Sequence, residues 1–242
     1  AAWSRWTFGT GVILYHTIID NDIYLVINRG GVYSLETVSL TYGLRDVGLP
    51  FSVLLDRKVA QVGTYDVLTN KTRWNLSSPF TNGVQAVRGA DYGALAGTEV
   101  AITQVNETVI EAVGNFSTGV CFIGEPYTMR YQFSPQYYKT DNSAHLSASL
   151  KLKKYKVSFQ NTAYFKAKVI PKGREAYEYT FSANTLAGIS YGAPIMVEDT
   201  FTFPVMYDAE TAIVEIFSDS PLPVTLHSAE CEGFLQPKGR RI

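Results

Sequence analysis

Apolar and polar positions alternate with a period of two through most of this chain, and the runs are broken at short intervals by Gly, Asn, Asp, Ser and Pro, the pattern of half-buried strands joined by turns. "VILYHTII" reaches Asp20-Asn21-Asp22 and turns into "IYLVINR", which turns at Gly30-Gly31 into "VYSLETVSL". The turn residues at both breaks predict a three-stranded meander. Further strands are predicted near 51–59, 63–68, 98–104, 107–113, 120–133, 144–159, 163–170, 176–183, 197–206, 211–217 and 224–230. No segment keeps a helical period, so the fold class expected is all-β.

The meander follows Trp3 and Trp6 and has the layout of one propeller-like blade, a unit whose faces need neighbours to cover them. Gly43 to Pro50 reads as a boundary. The expected organisation is therefore a propeller-like β-meander over 1–45, incomplete without further chain, and an antiparallel sandwich or barrel-like region over 46–242.

Between residues 144 and 170 the pattern predicts more. Leu146, Ala148, Leu150 and Leu152 share one face, but beyond Lys153-Lys154 the apolar set shifts to Tyr155, Val157 and Phe159. A β-bulge at the lysine pair would absorb that one-residue slip. The next strand has Phe165, Ala167 and Val169 apolar, and a hairpin with a three-residue loop, Gln160-Asn161-Thr162, would bring the two apolar sets to one face. That register sets Lys156 opposite Lys166 and Lys154 opposite Lys168, an unfavourable like-charge row that calls for a nearby anion.

Charge is segregated along the chain. Residues 142–174 hold eight Lys and Arg and no Asp or Glu, whereas 175–237 hold ten Asp and Glu and no Lys or Arg, although the net charge is only −1. Three readings stand side by side: acidic strands pair with the basic segment inside one chain, with Glu175 and Glu178 nearest; a basic face on one copy meets an acidic face on the next, head to tail, as in rings; or the lysines face nucleic acid, weakly, given a pI near 6.4.

Composition adds the remaining limits. With 16 Tyr and 13 Phe among 242 residues, the chain is rich in side chains suited to pleated surfaces. No apolar run approaches the roughly 18 residues needed to span a bilayer, so the chain reads as soluble. It starts Ala-Ala-Trp, as a processed product or a segment of a longer protein would. Cys121 and Cys231 have no partner at ligand spacing, which argues against a metal site and favours two buried thiols, with a disulfide as the alternative. "GISYG" at 188–192 matches a nucleophile elbow, and Asp199, Asp208 or Asp219 with His227 would follow Ser190 in hydrolase order. Yet Pro194 and the β-like "VEDTFTF" follow where a helix is required, so a turn is expected. Glu198 and Asp199 point to opposite faces of a strand and cannot flank one bond. His16, His145 and His227 read as ordinary strand residues, and Gly9, Gly11 and Gly30-Gly31 form no phosphate loop. Neither an enzyme nor a cofactor is expected.

"VCFIGEPYTMRYQFSPQYYK", "AHLSASLKLKKYKVSFQNTAYFKAKV" and the ending "SDSPLPVTLHSAECEGFLQPKGRRI" together resemble the C-terminal part of the tail tubular protein B family, the nozzle proteins of short-tailed phages (podoviruses). "WSRWTFG" and the strands after it are similar to the section near the end of that family's propeller. The resemblance covers almost all of this chain and about the last third of a family member. Its most specific residues are Gly124, Tyr127, Tyr131, Phe133 and Ser134, then Glu230, Glu232, Gly233, Arg240 and Arg241; Cys231 stands where an aromatic residue is usual. The resemblance implies a non-enzymatic virion protein of the phage tail, in the host cytoplasm during assembly. It would form a hexameric nozzle ring with adaptor (tail tubular protein A) and tail fibres or spikes as neighbours, enclosing the channel through which double-stranded phage DNA leaves. On that expectation Lys151, Lys153, Lys154, Lys156, Lys166 and Lys168 serve a subunit interface or the channel, and Lys238, Arg240 and Arg241 anchor the tail of the chain to a neighbour. The alternative is a phage tail protein that binds or hydrolyses host envelope polysaccharide.

Overall fold

The computed structural model describes residues 11–41, 43–81, 83–137, 139–140, 143–144, 148–183, 185–186, 189–190 and 193–237. Two compact units are formed, Ala1–Pro126 and Tyr127–Ile242. Among the described residues the one helical stretch is a 3₁₀ segment, Ala90–Leu95, and no helix is long and apolar enough to cross a membrane. The chain is all-β, as its alternation predicts.

In the first unit the expected meander is present, with β1 (Val12–Ile19), β2 (Asp22–Arg29) and β3 (Val32–Ser39) antiparallel in that order. Its turns, Asp20-Asn21 and Gly30-Gly31, are as short as a hairpin allows, and Asp20, Gly30 and Gly31 take the positive φ that such turns demand. Trp3 and Trp6 lie outside the described residues. Leu25 and Ile27 bury one face of β2.

Two four-stranded sheets follow. One contains β4 (Asp56–Val62), β7 (Gln85–Arg88), β8 (Glu99–Val100) and β11 (Val120–Glu125), ordered β4-β11-β7-β8. The other contains β5 (Thr64–Asp66), β6 (Lys71–Asn75), β9 (Thr103–Asn106) and β10 (Val109–Val113), ordered β5-β6-β10-β9. They share a core of Trp74, Phe80, Ala86, Val100, Ile110 and Ile123. β6 and β7 fall where the alternation marks no strand. In β6 the inward residues are Trp74 and Thr72, and the buried Thr72 hydroxyl donates to Gly114 O at 2.6 Å while accepting from Phe116 N at 2.8 Å. A polar residue that satisfies itself inside the fold hides the strand from a count of apolar positions.

A buried ionic network ties β3 to β4 and β11. Arg29 forks onto Glu36 at 3.1 and 3.0 Å. Arg57 donates to Glu125 at 3.2 Å and to Pro79 O at 2.8 Å, with its guanidinium 4.5 Å over the Phe80 ring and 4.0 Å from Glu36. Burial would raise the Glu36 pKa, but hydrogen bonds from Arg29 and Ser34 outweigh it and hold the carboxyl below its usual range. Asp56, opposite Glu125 at an irregularity of the β4–β11 ladder, has the reverse balance: burial and the Glu125 charge raise its pKa. A raised carboxyl pKa contributes stability below its ordinary value of 3.8 that is lost as pH climbs through the folded value. Asp56→Asn is therefore expected to raise the melting temperature at pH 7, with the gain shrinking toward pH 3.8. A variant no more stable at pH 7 would contradict this reading of Asp56.

The second unit is two sheets over one core. β12 (Met129–Gln132), β16 (Tyr164–Pro171), β17 (Tyr177–Ser182) and β21 (Ala212–Ser218) form one, ordered β12-β21-β16-β17. β15 (Ala148–Thr162), β20 (Val197–Asp208) and β22 (Thr225–Pro237) form the other, ordered β20-β15-β22. Two short ladders, β13 (Lys139–Thr140) with β14 (Ser143–Ala144) and β18 (Thr185–Leu186) with β19 (Ile189–Ser190), complete the set.

The slip predicted at Lys153-Lys154 is real: the register of β15 against both neighbours shifts between Leu152 and Lys154, and Leu152, Tyr155, Val157 and Phe159 are all buried. Leu146 lies outside the described residues. The predicted hairpin is not formed. β15 and β16 belong to different sheets, separated by Ala163 alone, and no lysine of one faces a lysine of the other across a ladder. Asn161 at φ 44° and a register shift between Phe159 and Thr162 turn the chain out of one sheet and into the other. The apolar sets of the two strands meet across the core rather than side by side, with Phe159 and Phe165 edge to face at 5.3 Å. Parity arguments cannot separate these outcomes, because both place Phe159 and Phe165 inward.

Candidate subunit interface and channel surface

Each basic strand of the second unit lies in the middle of its sheet and is flanked by acidic strands. On β15, Lys154 is opposite Glu232 of β22, and Lys156 is opposite Glu230. Lys153, at the bulge, and Lys154 hold Glu232 at 3.0 and 2.7 Å, and Lys153 lies 5.8 Å over the Phe234 ring. Hydrogen bonds from Lys154 and Lys153 keep the Glu232 carboxyl below its usual range. Lys151 stands between Asp208 of β20 and Phe234 of β22.

On β16, Lys166 is 3.7 Å from Asp219 and 5.5 Å from the Phe217 ring centre. A hydrogen bond to Tyr164 raises the Lys166 pKa, with a smaller contribution from the Asp219 charge. Lys168 pairs with Glu178 at 3.3 Å and is opposite Glu215, whose buried carboxylate also meets Arg130 at 3.6 Å. The six lysines therefore form two groups on two sheets, not one row. Lys238, Arg240 and Arg241 lie outside the described residues.

Intrachain pairing takes up part of the charge blocks: Glu178, named from the sequence as a nearest partner, is one partner, and Glu232 and Asp219 are others. Exposed pairs of this kind contribute little to stability; their larger effect is to reduce the field that the segregated sequence suggests. Among the described residues Lys151 and Lys156 make no ion pair within 4.0 Å.

Two of the catalytic candidates take part in these contacts: Asp219 with Lys166, and Asp208, which accepts from the Ser149 hydroxyl at 2.9 Å. Ser190 ends β19, and a stretch without helix leads from it to β20 among the described residues. The described residues 193–196 hold no helix of the kind that an elbow requires after its nucleophile. His227 sits exposed on β22, and His145 lies outside the described residues. Cys121 is buried, its thiol donating to the Tyr92 hydroxyl at 3.6 Å and pushed up by burial. Cys231 corrects the expectation of two buried thiols: it is exposed, and both cysteines are free. It lies on an edge strand beyond the cover of the opposite sheet, a position that apolar counting along the chain does not reveal.

A family model described as bacteriophage nozzle protein matches residues 1–242, the whole chain. No curated protein matches.

Proposed function

Because the chain belongs to the bacteriophage nozzle protein family, a family of structural tail components, we propose that it is one subunit of a homo-oligomeric ring, a hexamer, around the DNA exit channel of a short-tailed phage. The match over residues 1–242 carries this reading. The ring sits below the adaptor, meets tail fibres or spikes, and helps to retain the genome until infection. In this role the chain catalyses no reaction, and it resides in the host cytoplasm only until the tail is assembled. The 1–45 segment serves as a propeller-like module and 46–242 as the nozzle and platform region. No observation favours the polysaccharide alternative.

The charge blocks argue less for a ring by themselves, since four of the lysines pair within the chain. Of the six candidate lysines, Lys151 and Lys156 are the ones open to a neighbour or to DNA, because no intrachain ion pair occupies them among the described residues. Reversing both to Glu is expected to abolish assembly in light scattering with the circular dichroism spectrum unchanged. Normal assembly of the double variant would remove these two lysines from the interface. For the function itself, immunogold labelling of intact virions with an antibody to this chain should mark the tail; label confined to the capsid would overturn the reading.

A further inference from the structure

We propose that the free edge of β22 is a subunit contact, taken up by a second copy of this chain through main-chain pairing. The inference rests on the ring reading and names a surface that it uses.

Among the described residues both outer strands of the β20-β15-β22 sheet pair on one side only, so each presents a row of backbone groups without a described partner. The two edges are not alike. β20 contains Pro204, a residue that strands accept where its missing N–H faces solvent, and left-handed Met206 at φ 59°. Such features blunt an edge against pairing. β22 is 13 residues long, and from Thr225 to Gln236 it has neither proline nor a positive φ.

Its side chains point the same way. Ala229, Cys231 and Gly233 are in register with Val157, Tyr155 and Leu152, which are buried, yet every residue from His227 to Gln236 is exposed. The strand overhangs the core that begins beneath it at Val224 and Leu226. Phe234 is 59 % exposed and Leu235, on the opposite face of the strand, 43 %. An incoming strand would gain a full ladder and cover apolar side chains on both faces.

In the register centred on Cys231, a two-fold pairing of β22 with itself would set Glu230 and Glu232 against the same two glutamates of the second copy, and like charges directly opposite are unfavourable. A ring calls instead for a contact between different surfaces of two copies, the heterologous kind that closes on itself.

Cys231 is a native reporter on this edge, and buried Cys121 is an internal control. Maleimide labelling of the 242-residue chain, compared between its assembled form and dilute monomer, is expected to slow at Cys231 by about tenfold on assembly. Leu235→Lys, which places a charge on an exposed edge position, should raise the concentration for half-assembly by about tenfold with unchanged circular dichroism. Equal labelling rates in a formed ring, or unchanged assembly of Leu235→Lys, would overturn the β22 contact and leave the ring standing. A chain that stays monomeric at every concentration overturns both.

Discussion

Phe165→Ala is expected to lower the stability of the second unit by about 3–5 kcal/mol. Phe165 is fully buried, and its ring meets Phe159 at 5.3 Å, Phe181 at 5.1 Å and Phe201 at 5.5 Å, the last two stacked and edge to face. These neighbours come from both sheets, so truncation opens a cavity where the layers are joined and removes aromatic contacts worth roughly 0.5–1.5 kcal/mol each beyond their area. Against a typical domain stability of about 5–15 kcal/mol, the loss is a large share. Phe165→Leu should lose much less, because most of the volume is kept. Urea unfolding checks both; a loss below about 1 kcal/mol for the alanine variant would mean that the two sheets do not share this core.

Glu125→Ala carries the second large effect. Its carboxylate is 4 % exposed and the Arg57 side chain 12 % exposed, so removal leaves a guanidinium buried with Pro79 O as its close acceptor and Glu36 at 4.0 Å. Stranding one member of a buried pair costs about 3–5 kcal/mol. Replacing both members, with Arg57→Met and Glu125→Leu, should recover most of the loss, because the desolvation penalty of the charge disappears together with the pair. A double variant as unstable as Glu125→Ala would assign the loss to packing and not to charge.

The strands are legible in the sequence where apolar residues mark every second position, as in β2 with Leu25 and Ile27 and in β16 with Phe165, Ala167 and Val169. Even the bulge at Lys153-Lys154 is written there as a one-residue slip of the apolar set. What alternation does not encode is which strand lies beside which. The step from β15 to β16 keeps the parity that a hairpin would keep, and only the left-handed Asn161 and the shift before Thr162 separate a turn from a change of sheet. The expected row of facing lysines fails for the same reason. Lysines that would line one ladder in a hairpin are distributed over two sheets, each beside its own carboxylates. Likewise the exposure of Cys231 follows from the overhang of β22 past its covering sheet, a property of sheet order that no local pattern carries. β6 was hidden by Thr72, a polar residue on an inward face.

The most direct test of the nozzle account is the mass of the assembled chain under native conditions. The account predicts a species of six copies, each of 26.8 kDa, closed by head-to-tail contacts. A persistent monomer, or an isologous dimer that grows no further, would contradict it.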